Sequence, residues 1–299
     1  MKKGVLAVVA ASILYGIMPA LLKMIMLEGM NSASTVFFRM LFAAAFSFVY
    51  LMVRRVSVEI DREQLIHLAV FGAVAFGATS TLTTASYDYI STGLATMLQF
   101  TYPLFVTITM RLIFKEKITK IKLISCLMAL GGLALMADFS RLSAKGIILA
   151  TLSGVTYAIY VVASNKSRFA RLDKFVVVFY INAFASIIYG TRAVISGEFM
   201  LPINGKAVIL LMIVAFFCTV MTLYLLSTGI RILGASTASV LNMLEPITSV
   251  IVGIILFDDA FSLSAAAGCV LVILSSIVVA LFDQQEVKVK VHVNTNRIK

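Results

Sequence analysis

Long apolar runs alternate along the whole chain with short clusters of charged or turn-forming residues. Cutting the sequence at these clusters gives ten apolar segments, near 4–27, 33–53, 65–87, 92–114, 119–138, 143–164, 174–195, 206–229, 235–257 and 261–282. A bilayer-spanning helix needs about 20 apolar residues, and the run from Ile121 to Ala137 lacks the alternation of a barrel strand. The pattern therefore predicts an all-α integral membrane protein with ten transmembrane helices.

Composition agrees with this prediction. Apolar residues make up 61% of the chain and charged residues 13%, and the mean hydropathy is +1.03. These values exclude a disordered chain and leave no room for a sizeable soluble domain.

The net charge of +11 follows from the 25 basic residues, most of which fall on one side when the N-terminus is placed inside. The positive-inside rule therefore predicts a multi-pass protein of the cytoplasmic membrane with both termini in the cytoplasm. The bilayer thus accounts for the basic excess, and we expect no nucleic-acid partner. The basic tail, residues 284–299, has no apolar face and is expected to be disordered.

The two halves of the chain match each other at a nearly constant offset. A shift of 142 residues places Tyr15 on Tyr157, and a shift of 143 places Pro103 on Pro246. Each half holds five predicted helices. Because five is odd, the second copy would start on the opposite face of the bilayer, and a two-fold axis in the membrane plane would relate two inverted five-helix repeats.

The duplication divides the chain into residues 1–142, residues 143–283 and the basic cytoplasmic tail 284–299. Inverted repeats permit two nearly equivalent packings, each open to a different side of the membrane. We therefore expect transport by alternating access. The other interpretation is a duplicated membrane scaffold without a transport role.

Several short motifs occur in a characteristic order along the chain. They are Tyr15-Gly16 followed by Lys23, then Arg39, Tyr102-Pro103, Phe114 to Thr119, and Leu244-Glu245-Pro246. They resemble motifs of the drug/metabolite transporter superfamily, specifically its EamA-like families of ten-helix, two-repeat carriers. The resemblance implies a carrier of small organic solutes, in a superfamily that includes amino-acid and metabolite exporters, nucleotide-sugar exchangers and drug-efflux proteins. One departure is Ile181, which stands in the second half where Arg39 stands in the first.

Polar residues at helical spacing within the apolar segments define the candidate substrate site. Asn242 and Glu245 share a stripe on the ninth segment, and the repeat places Gln99 and Tyr102 on the matching stripe of the fourth. The residues that we expect to bind substrate are Tyr15, Ser80, Thr83, Gln99, Tyr102, Tyr157, Asn242 and Glu245. The alternative is that these side chains only pack or hydrogen-bond between helices.

Charged residues within the apolar segments have competing interpretations. An ionised Glu245 near mid-span costs roughly 2.5–3.5 kcal/mol on insertion scales, and by taking up a proton it could couple proton movement to solute movement. Alternatively, it is a structural acid that pairs with Lys23 or Arg39, or that caps backbone freed by Pro246. Lys23 and Arg39 are predicted to be structural, Lys23 by reaching the interface and Arg39 by joining helices.

Other function classes lack the residues that they need. The two histidines, His67 and His292, cannot complete a triad or a metal site, and no phosphate-binding loop is present. We therefore expect no enzyme activity, cofactor or metal. The sequence predicts a secondary active transporter that exports a small organic solute, an amino acid or related metabolite, with proton coupling. The alternatives are an exchanger or efflux carrier for nucleotide-linked or cationic drug-like solutes, and the scaffold.

Overall fold

The structure, a computed structural model, describes the backbone except at residues 87, 91, 117, 138–141, 203, 258–261 and 298–299, and also leaves undescribed the side chains of residues 84, 92, 93, 257 and 282–297. Within the described residues every regular element is helical, and no strand occurs. The all-α prediction is confirmed for this part of the chain.

Apart from two short 3₁₀ turns, Arg168–Arg171 and Asn242–Leu244, the described chain forms twelve helices, six in each half. The first half contains α1 (Lys2–Leu27), α2 (Ser32–Val53), α3 (62–86), α4 (Thr92–Gln99), α5 (Tyr102–Leu112) and α6 (Lys120–Met136). The second half contains α7 (Ala144–Lys166), α8 (Lys174–Ile195), α9 (Gly205–Leu233), α10 (Ala235–Leu241), α11 (Glu245–Phe257) and α12 (Leu263–Arg297). Every helix of the second half begins 142 or 143 residues after its counterpart.

Eight helical segments of the described chain are long and apolar enough to cross a membrane. The α4, α5 and α6 helices, with 8, 11 and 17 residues, are shorter than a usual span. The number of ten spans therefore stays a prediction. The predicted segments over 92–114 and 235–257 are each interrupted within the structure, because Pro103 and Pro246 supply no N–H for the helical turn before them.

The last helix also corrects an expectation. The backbone of α12 stays helical through Arg297, so the prediction of a disordered tail is wrong for residues 284–297. A helix that is already formed extends without a new nucleation step, and neither Gly nor Pro interrupts this stretch.

Equivalent polar residues begin equivalent helices. The side chains of Asn31 and Asp173 accept hydrogen bonds from the first turns of α2 and α8. Asp61 and Asn204 do the same for α3 and α9. Such caps satisfy backbone N–H groups that have no partner within the helix, and here they fix where each apolar run becomes helical.

Helices of one half pack mainly against helices of the other. The α2 helix lies along α8 and α6 along α12, while α1 contacts α9 and α11, and α7 contacts α3, α4 and α5. A β-carbon on Gly4 would lie 2.8 Å from Ile232 Cγ2, and one on Gly146 would lie 2.8 Å from Tyr89 Cβ. These two close contacts are repeat equivalents, so α1 meets the end of α9 as α7 meets the end of α3.

Contacts at helix ends give the relative direction of the second helices. Asn31, at the start of α2, donates a hydrogen bond to the carbonyl of Glu198, which follows α8. Tyr180, near the start of α8, donates to the carbonyl of Val58, which follows α2, at 2.9 Å. The α2 and α8 helices therefore run antiparallel.

The first helices also run in opposite directions. Gly4, at the start of α1, lies against Ile232 at the end of α9. Asn165, at the end of α7, donates to the carbonyl of Ile230 at 3.2 Å. The start of α1 and the end of α7 therefore lie at the same end of the bundle.

Ion pairs join the halves at both ends of the bundle. Glu28, after α1, pairs with Lys206, at the start of α9, at 2.5 Å, and also accepts a hydrogen bond from Asn204 at 3.0 Å. The hydrogen bonds from Lys206 and Asn204 hold the pKa of Glu28 below its ordinary value. Arg168 and Glu63 form a similar pair, at 2.6 Å, between the end of α7 and the start of α3.

Candidate functional site

A break in the ninth predicted segment places Glu245 inside the bundle. The α10 helix ends at Leu241, a 3₁₀ turn covers Asn242–Leu244, and α11 begins at Glu245. Because Pro246 has no N–H, the carbonyl of Asn242 loses its α-helical donor and instead accepts from the backbone N–H of Glu245. Broken helices of this kind occur in membranes where the backbone is buried in protein or lines a polar cavity.

The equivalent break between α4 and α5 has the same position but different chemistry. The α4 helix ends at Gln99, α5 begins at Tyr102, and Pro103 occupies its first turn. Thr101 bridges the gap by donating its hydroxyl to the carbonyl of Leu98 at 2.6 Å. Gln99 and Tyr102 are the repeat equivalents of Asn242 and Glu245.

A short hydrogen-bonded chain connects Glu245 to α1. Ser12 donates its hydroxyl to the side-chain oxygen of Asn242 at 3.2 Å, and the amide nitrogen of Asn242 donates to a Glu245 carboxylate oxygen at 3.1 Å. Ser12 and Asn242 are fully buried, whereas Glu245 is half-buried. Gly16 allows this approach, because a β-carbon there would lie 2.6 Å from the carbonyl oxygen of Glu245.

Three tyrosines interact with the same acid, and a fourth, Tyr160, contacts one of them. The ring of Tyr102 meets Tyr157 edge-on at 4.6 Å between centroids, and Tyr160 lies 5.8 Å beyond Tyr157. Glu245 interacts electrostatically with Tyr15, Tyr102 and Tyr157. The Tyr102 hydroxyl donates to the carbonyl of Ser239 at 3.2 Å, whereas the buried Tyr15 hydroxyl has no partner among the described residues.

A second polar group connects α3, α4 and α7. Thr83 donates its hydroxyl to the Gln99 side-chain oxygen at 3.1 Å, and the hydroxyls of Thr79 and Thr156 lie 2.8 Å apart. Gly154 lets the chains approach, because its β-carbon would lie 2.8 Å from the carbonyl of Gln99. The contacts of Thr83 and Gln99 are thus contacts between helices. Ser80 is half-buried on the same helix, α3.

Arg39 is buried without an acidic partner. Its side chain is 6% exposed, and no described carboxylate lies within 4 Å of it, so it forms no ion pair with Glu245. One terminal nitrogen donates to the sulfur of Met18 on α1 at 2.8 Å, and the Nε atom has no partner in the described chain. Arg39 interacts electrostatically with Tyr15. Lys23, by contrast, is exposed on α1.

The structure thus gathers Tyr15, Tyr102, Tyr157, Asn242 and Glu245 around one break. Sequence reasoning missed Tyr160 and Met18 as neighbours of this site. Tyr160 follows Tyr157 by three residues, a helical spacing that could have identified it, whereas no local signal connects Met18 to Arg39. Among the described residues, no group of three His, Cys, Asp or Glu side chains could hold a metal ion.

The apolar helices, the paired breaks and the polar interior define a multi-pass membrane protein. The model of the EamA-like transporter family matches this chain twice, over residues 2–137 and 144–281. The chain therefore belongs to the EamA-like transporter family, within the drug/metabolite superfamily.

Two individual proteins are similar to this chain. An uncharacterized transporter of Archaeoglobus fulgidus is 26% identical over 224 residues, which are 73% of this chain and 78% of the relative. A solved crystal structure superposes with a TM-score of 0.78 at 17% identity, covering 95% of this chain and 99% of the other. The family and the relative are transporters, and the structural match supports the fold.

Proposed function

We propose that this protein is a secondary active transporter that exports a small organic solute, an amino acid or related metabolite, across the cytoplasmic membrane with proton coupling. The observation that carries the proposal is the Glu245 carboxylate, which lies half-buried at a helix break among three tyrosines. Its carboxylate has one hydrogen-bond donor, Asn242, and no ion pair with Arg39 in the described chain. A carboxyl so placed can exchange a proton or meet a solute.

Alternating access between two inverted five-helix repeats is the mechanism that we propose. Equivalent helices α1 and α7, and also α2 and α8, run antiparallel, and each half packs against the other through equivalent contacts. These contacts support a two-fold axis in the membrane plane that relates the repeats at 1–142 and 143–283. The distribution of basic residues supports both termini in the cytoplasm. Such an arrangement has two related packings, each open to one side.

The orientation can be tested with two single cysteines, Lys3→Cys in the first turn of α1 and Lys145→Cys in the first turn of α7, in inside-out and right-side-out vesicles. An impermeant maleimide should label the first only from the cytoplasmic side and the second only from the opposite side. Labelling of both positions from one side would overturn the inverted arrangement.

Transport itself can be tested with the purified protein in liposomes. Solute flux that saturates and that competing solutes reduce supports a carrier. Flux that rises linearly with solute concentration, and that competitors do not change, favours a pore, whereas no flux favours a scaffold.

Coupling can be tested with Glu245→Gln, which keeps the side-chain shape and removes the charge. A pH gradient should drive solute accumulation by the wild type and by the control Glu28→Gln, which makes the same change outside the spans. Accumulation by Glu245→Gln should fall to the level of empty liposomes. Unchanged accumulation in this variant would remove Glu245 from the coupling step.

A cationic drug-like solute is the second candidate substrate. It is favoured by the tyrosine rings around Glu245, because aromatic faces and a carboxylate both attract organic cations. Competition by amines lacking a carboxylate, measured in the same liposomes, distinguishes this candidate.

A further inference from the structure

Resting on the proposed transport function, we infer that the site binds its solute as a zwitterion, with Arg39 holding a carboxylate and Glu245 holding an ammonium group. Tyr15 interacts electrostatically with both of these charged side chains. Arg39 is then a substrate-binding residue and not only a structural one, and the solute class is that of the amino acids.

The surroundings of Arg39 call for an anion. A guanidinium carries five N–H donors, and burying one without a carboxylate is costly. Arg39 is 6% exposed, yet the described chain offers it the sulfur of Met18, a weak acceptor, and no carboxylate within 4 Å. Its Nε atom remains without a hydrogen-bond partner. A ligand carboxylate would supply the missing charge and acceptors.

The surroundings of Glu245 call for a cation by the same reasoning. The carboxylate accepts one hydrogen bond from Asn242 and forms no ion pair within the described chain. The rings of Tyr102 and Tyr157 lie near it, and aromatic faces attract ammonium groups. An ammonium would therefore meet both a counter-charge and aromatic rings.

Helix α1 connects the surroundings of the two charges. Ser12 contacts Asn242, the partner of Glu245, and Met18 contacts Arg39. Tyr15 lies in α1 about one helical turn from Ser12 and from Met18.

Tyr15 is the third residue that a bound zwitterion would contact. It interacts electrostatically with both Arg39 and Glu245, and its hydroxyl is buried without a partner in the described chain. A bound carboxylate would accept a hydrogen bond from this hydroxyl. A simple amine would leave Arg39 unpaired and a simple acid would leave Glu245 unpaired, whereas a zwitterion satisfies both.

The test is counterflow in liposomes that contain the wild-type protein and are preloaded with unlabelled L-amino acids. Uptake of a radiolabelled mixture of the standard L-amino acids is measured against three unlabelled competitors. These are the amino acids themselves, the corresponding decarboxylated amines, and the corresponding deaminated carboxylic acids. We expect the amines and the acids to require at least about tenfold higher concentrations than the amino acids, since each lacks one charge-assisted contact.

Variants of Arg39 test whether this residue binds the carboxylate of the solute. Arg39→Met should reduce the preference for amino acids over amines to about twofold or less, and Arg39→Lys should restore part of it. Lys3→Met, which removes an exposed positive charge from the same bundle, should keep the full preference. Thermal unfolding shows whether each variant is folded, and if Arg39→Met is not, the wild-type competition and Arg39→Lys decide the matter.

The outcomes separate the inference from the function on which it rests. Saturable flux in which amines or acids compete as well as amino acids overturns the zwitterion site and leaves the transporter intact. Saturable flux of another solute that amino acids do not inhibit would likewise overturn the zwitterion site and leave the transport function standing. Unchanged preference in a folded Arg39→Met overturns the role of Arg39. No saturable flux of any solute overturns the transport function and the inference together.

Discussion

The two helix breaks share a frame and differ in chemistry. Each break begins at or directly after an amide residue, Gln99 in one half and Asn242 in the other. Each also has a proline in the first turn of the next helix, Pro103 after Tyr102 and Pro246 after Glu245. The amide of the first break hydrogen-bonds to Thr83 on a neighbouring helix, whereas the amide of the second holds the carboxylate of Glu245. Duplication thus preserved the bend, while the ionisable group occurs in one half alone.

The same asymmetry applies to the positive charge. Arg39 on α2 corresponds to Ile181 on α8, and both side chains are buried. The two copies therefore supply one charge each, a cation from the first and an anion from the second. A symmetric frame suits a protein with two related conformations, and an asymmetric interior suits a solute with two unlike ends.

The largest difference between the breaks should come from removing their amides. Asn242→Leu takes away the hydrogen-bond donor that the described chain gives to Glu245, and we expect a loss of about 1–3 kcal/mol in the free energy of unfolding. Transport driven by a pH gradient should fall by about 10- to 100-fold, because each 1.4 kcal/mol of misplaced binding is a factor of ten. Liposome transport and thermal unfolding in detergent measure the two effects.

Gln99→Leu is the matched control for Asn242→Leu. The Thr83 hydroxyl would keep its hydrogen bond to the carbonyl of Thr79, at 2.9 Å. We therefore expect Gln99→Leu to lower the free energy of unfolding by about 1 kcal/mol or less. Equal effects of the two substitutions would show that the breaks do not differ in the way described.

The next largest effect is expected from overpacking beside the second break, where Gly16 of α1 lies against Glu245. In Gly16→Ala the new methyl group would lie 2.6 Å from the carbonyl of Glu245, and such overpacking against backbone costs about 1–3 kcal/mol. The reverse change at the repeat-equivalent position, Ala158→Gly, should cost about 1 kcal/mol through helix propensity. Gly16→Ala should therefore unfold at a lower temperature than Ala158→Gly. The opposite order would contradict the close approach of α1 to α11.

Tyr102→Phe tests the uncharged member of the pair. It removes a hydroxyl that donates to the carbonyl of Ser239 at 3.2 Å, and we expect a loss of about 1 kcal/mol. Coupling to a pH gradient should persist, because the acid stays in the other half. Loss of coupling in a folded Tyr102→Phe protein would show that both breaks handle the proton.

The smallest effect concerns pH and the ion pair outside the spans. The Lys206 ammonium and Asn204 amide lower the pKa of Glu28 in the folded protein. Stability from this carboxylate is therefore present above the unfolded pKa of about 4.3 and is lost as pH falls through the lower folded value. The unfolding midpoints of wild type and Glu28→Gln should differ at neutral pH and converge in acid. A constant difference at every pH would contradict this linkage.

Helix positions and the duplication could be predicted from sequence because both depend on local signals. Apolar runs mark the helices, and the caps Asp61 and Asn204 recur at a 143-residue spacing. Loosening of the helices at Pro103 and Pro246 could also be predicted, because a proline supplies no N–H to the preceding turn, although hydropathy alone shows each segment as one apolar run. The contacts of Arg39 could not be predicted, since Met18 is brought to it only by packing between α1 and α2.

The crossing of α6 and α12 has a mechanical consequence. Gly132 and Gly268 bring the two backbones so close that a β-carbon on Gly132 would lie 2.6 Å from the carbonyl oxygen of Gly268. Side chains can rotate to follow a shifting neighbour, but backbones in direct contact must either stay together or part. A rearrangement of the other helices would therefore either carry α6 and α12 together as one unit or separate them along this contact.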